Sequence, residues 1–138
     1  GYPDARTEAG LINTQQFSHP ISRLGPVCEA GDFARLVVSA RDVTITPEVA
    51  SFMTSIVGAT RAHPSIRFGA SPRGTLGLAR MARALSCLRG HSYVDPAVVR
   101  EVAVPVLAHR IIVQRNGAEP QTAEALIQDI LKTQRTPQ

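Results

Sequence analysis

Gly69-Ala70-Ser71-Pro72-Arg73-Gly74 sets a small hydroxyl, a proline and a guanidinium in consecutive positions. Ser71 is suited to cap a helix by accepting a hydrogen bond from a free backbone N–H of the first turn. Pro72 fits the first helical position, where no N–H is needed. Arg73 then falls in the first turn, among unpaired N–H groups at the positive end of the helix dipole. A cation there is locally unfavourable, and a phosphate would offset it. A helix start already attracts anions, and a guanidinium grips phosphate through two parallel hydrogen bonds. The same residues also fit an ordinary capped helix with a surface arginine, and spacing alone does not separate the two.

The elements that must carry this motif follow from the apolar spacing. Pro3 and Asp4 open a short helix that ends near Asn13 with Leu11 and Ile12, and residues 14–31 read as a loop or linker holding Pro20, Gly25, Pro26 and Gly31. Asp32 is placed to cap a helix whose Phe33, Leu36, Val37 and Ala40 share one buried face. Val43 and Ile45 alternate with polar residues in a short extended stretch. Thr46-Pro47-Glu48 is a helix start, with Val49, Phe52, Met53, Ile56 and Val57 as its apolar stripe and His63-Pro64 as its end. The motif helix spans about 72–89. Leu78, Met81, Ala82, Leu85 and Leu88 form its stripe, Arg73 and Arg80 project elsewhere with Arg83 nearby, and Gly90 is its C-cap. Asp95-Pro96 starts a further helix with Val98, Val99 and Val102 inward, which Pro105 should break or restart. Ile111-Ile112-Val113 extends briefly, Asn116-Gly117 marks a turn, and Thr122 caps a last helix burying Ala123, Leu126, Ile127, Ile130 and Leu131. Residues 134–138 are expected to fray. The expectation is a small all-α bundle of five to six helices over 32–133, with little or no strand.

Composition narrows the function. The 138 residues carry net charge +4, with 4% aromatics and no Trp, so the core must be aliphatic. Residues 61–115 hold nine Arg against Asp95 and Glu101, a local balance of +7, and only Lys132 is a lysine. This favours phosphates or acidic protein surfaces as partners. A P-loop needs a lysine after glycines, and Lys132 follows Asp129-Ile130-Leu131, so no Walker-type cradle is present. No nucleophile elbow supports a triad. Cys28 and Cys87 form no CxxC pair and His19, His63, His91 and His109 are scattered, so no metal site is expected. The apolar run Val102–Ala108 is far short of the roughly 18 residues that span a bilayer. No membrane is expected as partner, and the missing secretory leader points to the cytoplasm. A start at Gly1-Tyr2-Pro3 without Met reads as a cut fragment or a tagged chain, in which any targeting signal would be missing from view. This chain alone is not expected to be an enzyme.

Several stretches in order resemble the C-terminal lid of MoxR-type AAA+ ATPases, relatives of magnesium-chelatase motors. They are Tyr2-Pro3-Asp4 with Glu8 and Leu11-Ile12, then His19-Pro20 with Leu24. Ala59-Thr60-Arg61 with His63-Pro64 and Gly69-Ala70-Ser71-Pro72-Arg73 are the most specific. Leu88-Arg89-Gly90, Tyr93-Val94, Pro96 and Val106-Leu107-Ala108-His109-Arg110-Ile111 complete the set. His91 replaces an expected arginine, and Gly74 an expected alanine. The resemblance implies that residues 1–138 are a lid, with 1–13 the helix at the boundary of the ATPase core. It implies that Arg73 is the sensor-2 arginine, reaching the γ-phosphate of ATP held on that core with Mg2+ and coupling nucleotide state to lid angle in a chaperone-like motor. Ser71 and Pro72 would share the nucleotide site. Arg61 and Arg67 form a second tier, contacting nucleotide or the next subunit, or else covering a solvated face. Partners implied are the chain's own core, neighbouring subunits of a hexameric ring, and a von Willebrand A-domain protein. A free-standing basic helical module binding nucleic acid or an acidic protein is the alternative. Against nucleic acid stand the missing helix-turn-helix and the missing aromatic stacking platform.

Overall fold

The computed structural model describes residues 3–14, 20–114 and 121–137, with the side chains of 11–14 and 20 left aside. Tyr2, His19 and the Asn116-Gly117 turn lie outside the described residues, as do the side chains of Leu11 and Ile12. By its internal contacts the chain forms two units, residues 1–33 and 34–138.

In the first unit, α1 runs Ala5–Thr14 and a 3-10 turn spans Pro20–Arg23. Asp4 starts α1 by accepting a hydrogen bond from the Thr7 N–H at 2.7 Å. That bond from the Thr7 backbone holds the Asp4 carboxyl below its ordinary pKa of 3.8.

Helix α2, Ala30–Asp42, carries the boundary between the units. It starts two residues before Asp32, so Asp32 lies in the first turn and not at the cap. The expected burial of its apolar face is overturned: Phe33, Leu36 and Val37 are exposed, and no residue of α2 is buried. A period of 3.6 shows that a helix has an apolar face; it does not show that the cover for that face lies nearby.

In the second unit, α3 (Pro47–Ala62), α4 (Pro72–Leu88), α5 (Pro96–Leu107) and α6 (Ala123–Thr133) enclose an aliphatic core of Met53, Ile56, Leu78, Val99, Leu107, Leu126 and Ile127. Such side chains each contribute about 1.5–3 kcal/mol on leaving water, and they outnumber the aromatic Phe52 in this core. Three starts are capped as expected. Thr46 accepts from the Val49 N–H at 3.4 Å, Asp95 from Ala97 at 2.6 Å and Thr122 from Ala125 at 3.2 Å.

A two-stranded antiparallel ribbon pairs β1 (Ile66–Phe68) with β2 (Ile112–Val113). A second link holds the loops before α3 and α5, where Thr44 and Tyr93 form a parallel bridge. A mainly helical fold with little strand is therefore what the structure shows.

Two local expectations fail. The buried stripe of α4 is Gly74, Leu78, Ala82 and Ser86, with Met81 and Leu88 exposed. Small residues decide this: the positions a Cβ would take at Gly74 and Gly77 lie 3.4 Å from Leu107 and 3.5 Å from Val106, so α5 packs where α4 is thinnest. Pro105 does not break α5, which continues to Leu107 before a 3-10 turn over Ala108–Arg110. It sits in the last turn, where the missing N–H removes one bond from a helix about to end.

Gly90 closes α4 at φ 75°, with the His91 N–H donating to Ser86 O and the Gly90 N–H to Cys87 O, both at 2.9 Å. This is the left-handed helix end that glycine favours. At the end of α6 and just after it, Arg100 donates to Leu131 O at 2.7 Å, Gln134 O at 2.9 Å and the Thr136 hydroxyl at 2.6 Å, and its guanidinium lies over the Phe52 ring. Among the described residues no helix is long and apolar enough to cross a membrane.

Candidate functional site at the start of the fourth helix

The segment between α3 and α4 is held from the last turn of α3. Thr60 continues the apolar stripe of that helix and is fully buried. A buried hydroxyl must find partners. Thr60 Oγ1 donates to Val57 O at 2.6 Å and accepts from the Ala70 N–H at 2.9 Å. The next residue completes the grip: Arg61 Nε donates to Ala70 O at 2.8 Å. Both polar groups of the Ala70 residue are therefore taken by consecutive side chains of another helix. Gly69 makes this approach possible, because a Cβ there would lie 2.6 Å from the Arg61 backbone N and Cα.

Three residues on, α4 begins with Pro72 at its first position. Ser71 has the extended backbone of an N-cap, φ −72° and ψ 170°, but its side chain caps nothing, contrary to expectation. The Gly74 N–H instead turns back to Ser71 O at 2.7 Å, a tight 3-10-like closure. The first turn holds no acid. Ser71, Pro72 and Arg73 are all exposed. Among the described residues the Arg73 guanidinium has no hydrogen-bond or ion-pair partner. A guanidinium at the positive end of a helix, facing water and unneutralised, can receive a phosphate without first breaking an internal bond.

The other arginines divide. Arg61 is joined to this site through Ala70. Arg67, on β1, lies over the exposed Phe68 ring at 5.4 Å. Arg83 is committed to Val43 O at 2.9 Å. Arg89 makes a two-bond pair with Glu101, 2.8 Å each, which raises its pKa above that of an ordinary guanidinium.

Arg110 takes an inter-helix place beside α4. Its Nε donates to Val106 O at 3.0 Å, and its side chain runs along α4 within 4.0 Å of the Cβ positions of Gly74 and Gly77. Gly77 stands one turn after Arg73, so a second exposed guanidinium borders the same side of the helix start. Two bare glycines at this spacing were the sequence signal for a long side chain laid across a helix.

Two open grooves of about 470 and 530 Å³ lie elsewhere, both lined by Glu48, Thr136 and Pro137, and neither borders Arg73. No group of three or more His, Cys, Asp or Glu among the described residues is arranged to hold a metal.

The family model described as the AAA lid domain matches residues 58–130, from just before Thr60 to the last buried turn of α6. The chain belongs to the AAA lid domain family. The chain is 33% identical to the uncharacterised protein YeaC of Bacillus subtilis over 99% of its length and 43% of that protein's. It is 30% identical to the chaperone MoxR1 of Mycobacterium tuberculosis over 100% of its length and 39% of that protein's. The chain thus spans about two fifths of the length of the curated relatives it matches. Its fold is shared with the crystal structure of a candidate ATPase from Cytophaga hutchinsonii, at a TM-score of 0.80 and 24% identity, covering all of this chain and 45% of that one.

Proposed function

We propose that the lid is the nucleotide-sensing part of a MoxR-type AAA+ ATPase, with Arg73 as its sensor-2 arginine. The observation that carries this reading is the exposed, unpartnered Arg73 at a helix start with no acid in its first turn. ATP and Mg2+ would be held by an ATPase core outside this chain. Arg73 would then meet the terminal phosphate, favouring triphosphate over diphosphate and stabilising charge that grows in the transition state. Ser71 and Pro72 contribute backbone geometry more than donors, since Pro72 has no N–H. Arg61 serves chiefly by holding Ala70, while Arg67 faces solvent beside Phe68. The same reading takes the protein as a cytoplasmic, chaperone-like ring motor, with a von Willebrand A-domain protein as a partner and the whole of residues 1–138 as the lid with its core-boundary helix.

Arg73→Ala in the protein that includes the ATPase core tests this. ATP turnover should fall on the order of a hundredfold, the loss typical for one preorganised donor to a developing charge, while folding and some nucleotide binding remain. Wild-type turnover in that variant removes the sensor role.

A further inference from the structure

The start of α4 is held in an unusual way. The side chain of its own cap residue bonds to nothing in the first turn, and only the Ser71 carbonyl is used there, by the Gly74 N–H. What fixes its position lies on a different helix, ten residues back in the chain. Thr60 and Arg61 take the N–H and the C=O of Ala70, three residues before Arg73. Between that grip and Arg73 stand only Ser71, with an extended backbone, and Pro72, whose φ is locked by its ring. Gly69 brings the segment against the α3 backbone so closely that no larger residue fits. A shift at Ala70 therefore passes to Arg73 with little slack.

We infer that Thr60 is a positioning residue for Arg73, and that the Thr60–Arg61 clamp on Ala70 sets where the guanidinium meets the nucleotide. Thr60 is suited to this because both of its hydrogen-bonding roles are used: its proton goes to Val57 O in its own helix and its lone pair receives Ala70. The hydroxyl thereby ties the orientation of α4 to α3. Thr60 is fully buried, so the bond is shielded from water. The inference rests on the reading of Arg73 as the nucleotide sensor.

The test uses the protein with its ATPase core and measures kcat and KM for ATP in Thr60→Val, Thr60→Ser, Arg73→Ala and the Thr60→Val/Arg73→Ala double variant. Thr60→Val keeps shape and removes the hydroxyl. It should lower kcat on the order of tenfold with KM changed less than about twofold, since misplacement of a catalytic group by a fraction of an ångström costs rate more than binding. Thr60→Ser should restore turnover. The double variant should be no slower than Arg73→Ala, because the clamp acts only through that side chain.

Wild-type kcat in Thr60→Val beside a crippled Arg73→Ala overturns the inference, as does full additivity of the two losses. Should Thr60→Val fail to fold, Arg61→Met removes the other half of the clamp at an exposed position, and the same kcat-selective, non-additive loss is required of it. Wild-type turnover in Arg73→Ala instead removes the sensor reading itself, so the two failures are told apart.

Discussion

The starts of α3 and α4 are written almost alike and built differently. Thr46-Pro47-Glu48 and Ser71-Pro72-Arg73 each give a hydroxyl, a proline and a charge. At α3 the hydroxyl caps the first turn and the charge is an acid, as the helix dipole favours. At α4 the hydroxyl caps nothing and the charge is a cation facing solvent. One start closes on itself; the other is held from behind by α3 and left open in front. The comparison teaches that a helix start is made receptive to an anion by withholding the local groups that would otherwise satisfy it.

Three substitutions and one change of pH can break or sharpen this contrast. The largest effect is expected from Ser71→Asp. A carboxylate there should cap α4 and raise thermal stability by about 0.5–1 kcal/mol while competing with phosphate for the same positive end, so that ATP turnover of the protein with the proposed ATPase core falls on the order of tenfold or more. Higher stability with undiminished turnover would show that the open start has no part in nucleotide handling.

The next concerns the two hydroxyls. Thr46→Ala should cost about 1 kcal/mol in chemical denaturation, the usual worth of an N-cap, and Ser71→Ala close to nothing, since no cap bond is lost. Equal losses would mean that Ser71 caps its helix in solution.

The smallest effect is one of pH. The hydrogen bond with Thr46 lowers the Glu48 carboxyl below its ordinary 4.5. Its contribution to the start of α3 is therefore present above about pH 4.5 and lost as pH falls through the lower, folded value. The first turn of α4 holds no carboxylate and should show no such titration. Amide exchange at residues 47–50 and 72–75 across that range would register the difference, and parallel behaviour of the two starts would refute it.

Much of this was legible in the sequence because the signals are short-range. Thr46-Pro47, Asp95-Pro96, Thr122 and Gly90 mark helix ends through bonds spanning two to five residues, and the structure places each as expected. The stripe Val49, Phe52, Met53, Ile56 and Val57 is buried as its spacing requires. The clamp was not legible, because Thr60 reaches a backbone N–H ten residues away and backbone groups leave no mark in sequence. Its one clue was a hydroxyl at the next position of an apolar stripe. Met81 and Leu88 misled because the side of α4 that packs is chosen by small residues, which let α5 come close, and not by the largest hydrophobic ones. On α2 the apolar face was read correctly as apolar and wrongly as covered.

Arg100 ties three helices together. Rooted in α5, it stacks on Phe52 of α3 and bonds to the carbonyl of Leu131 in α6, to Gln134 and to Thr136 just beyond that helix. A pull on the carboxy-terminal segment would be shared with α5 and α3 before α6 could unwind. Force delivered at that end would swing these helices as one stiff lever and not unravel the last of them.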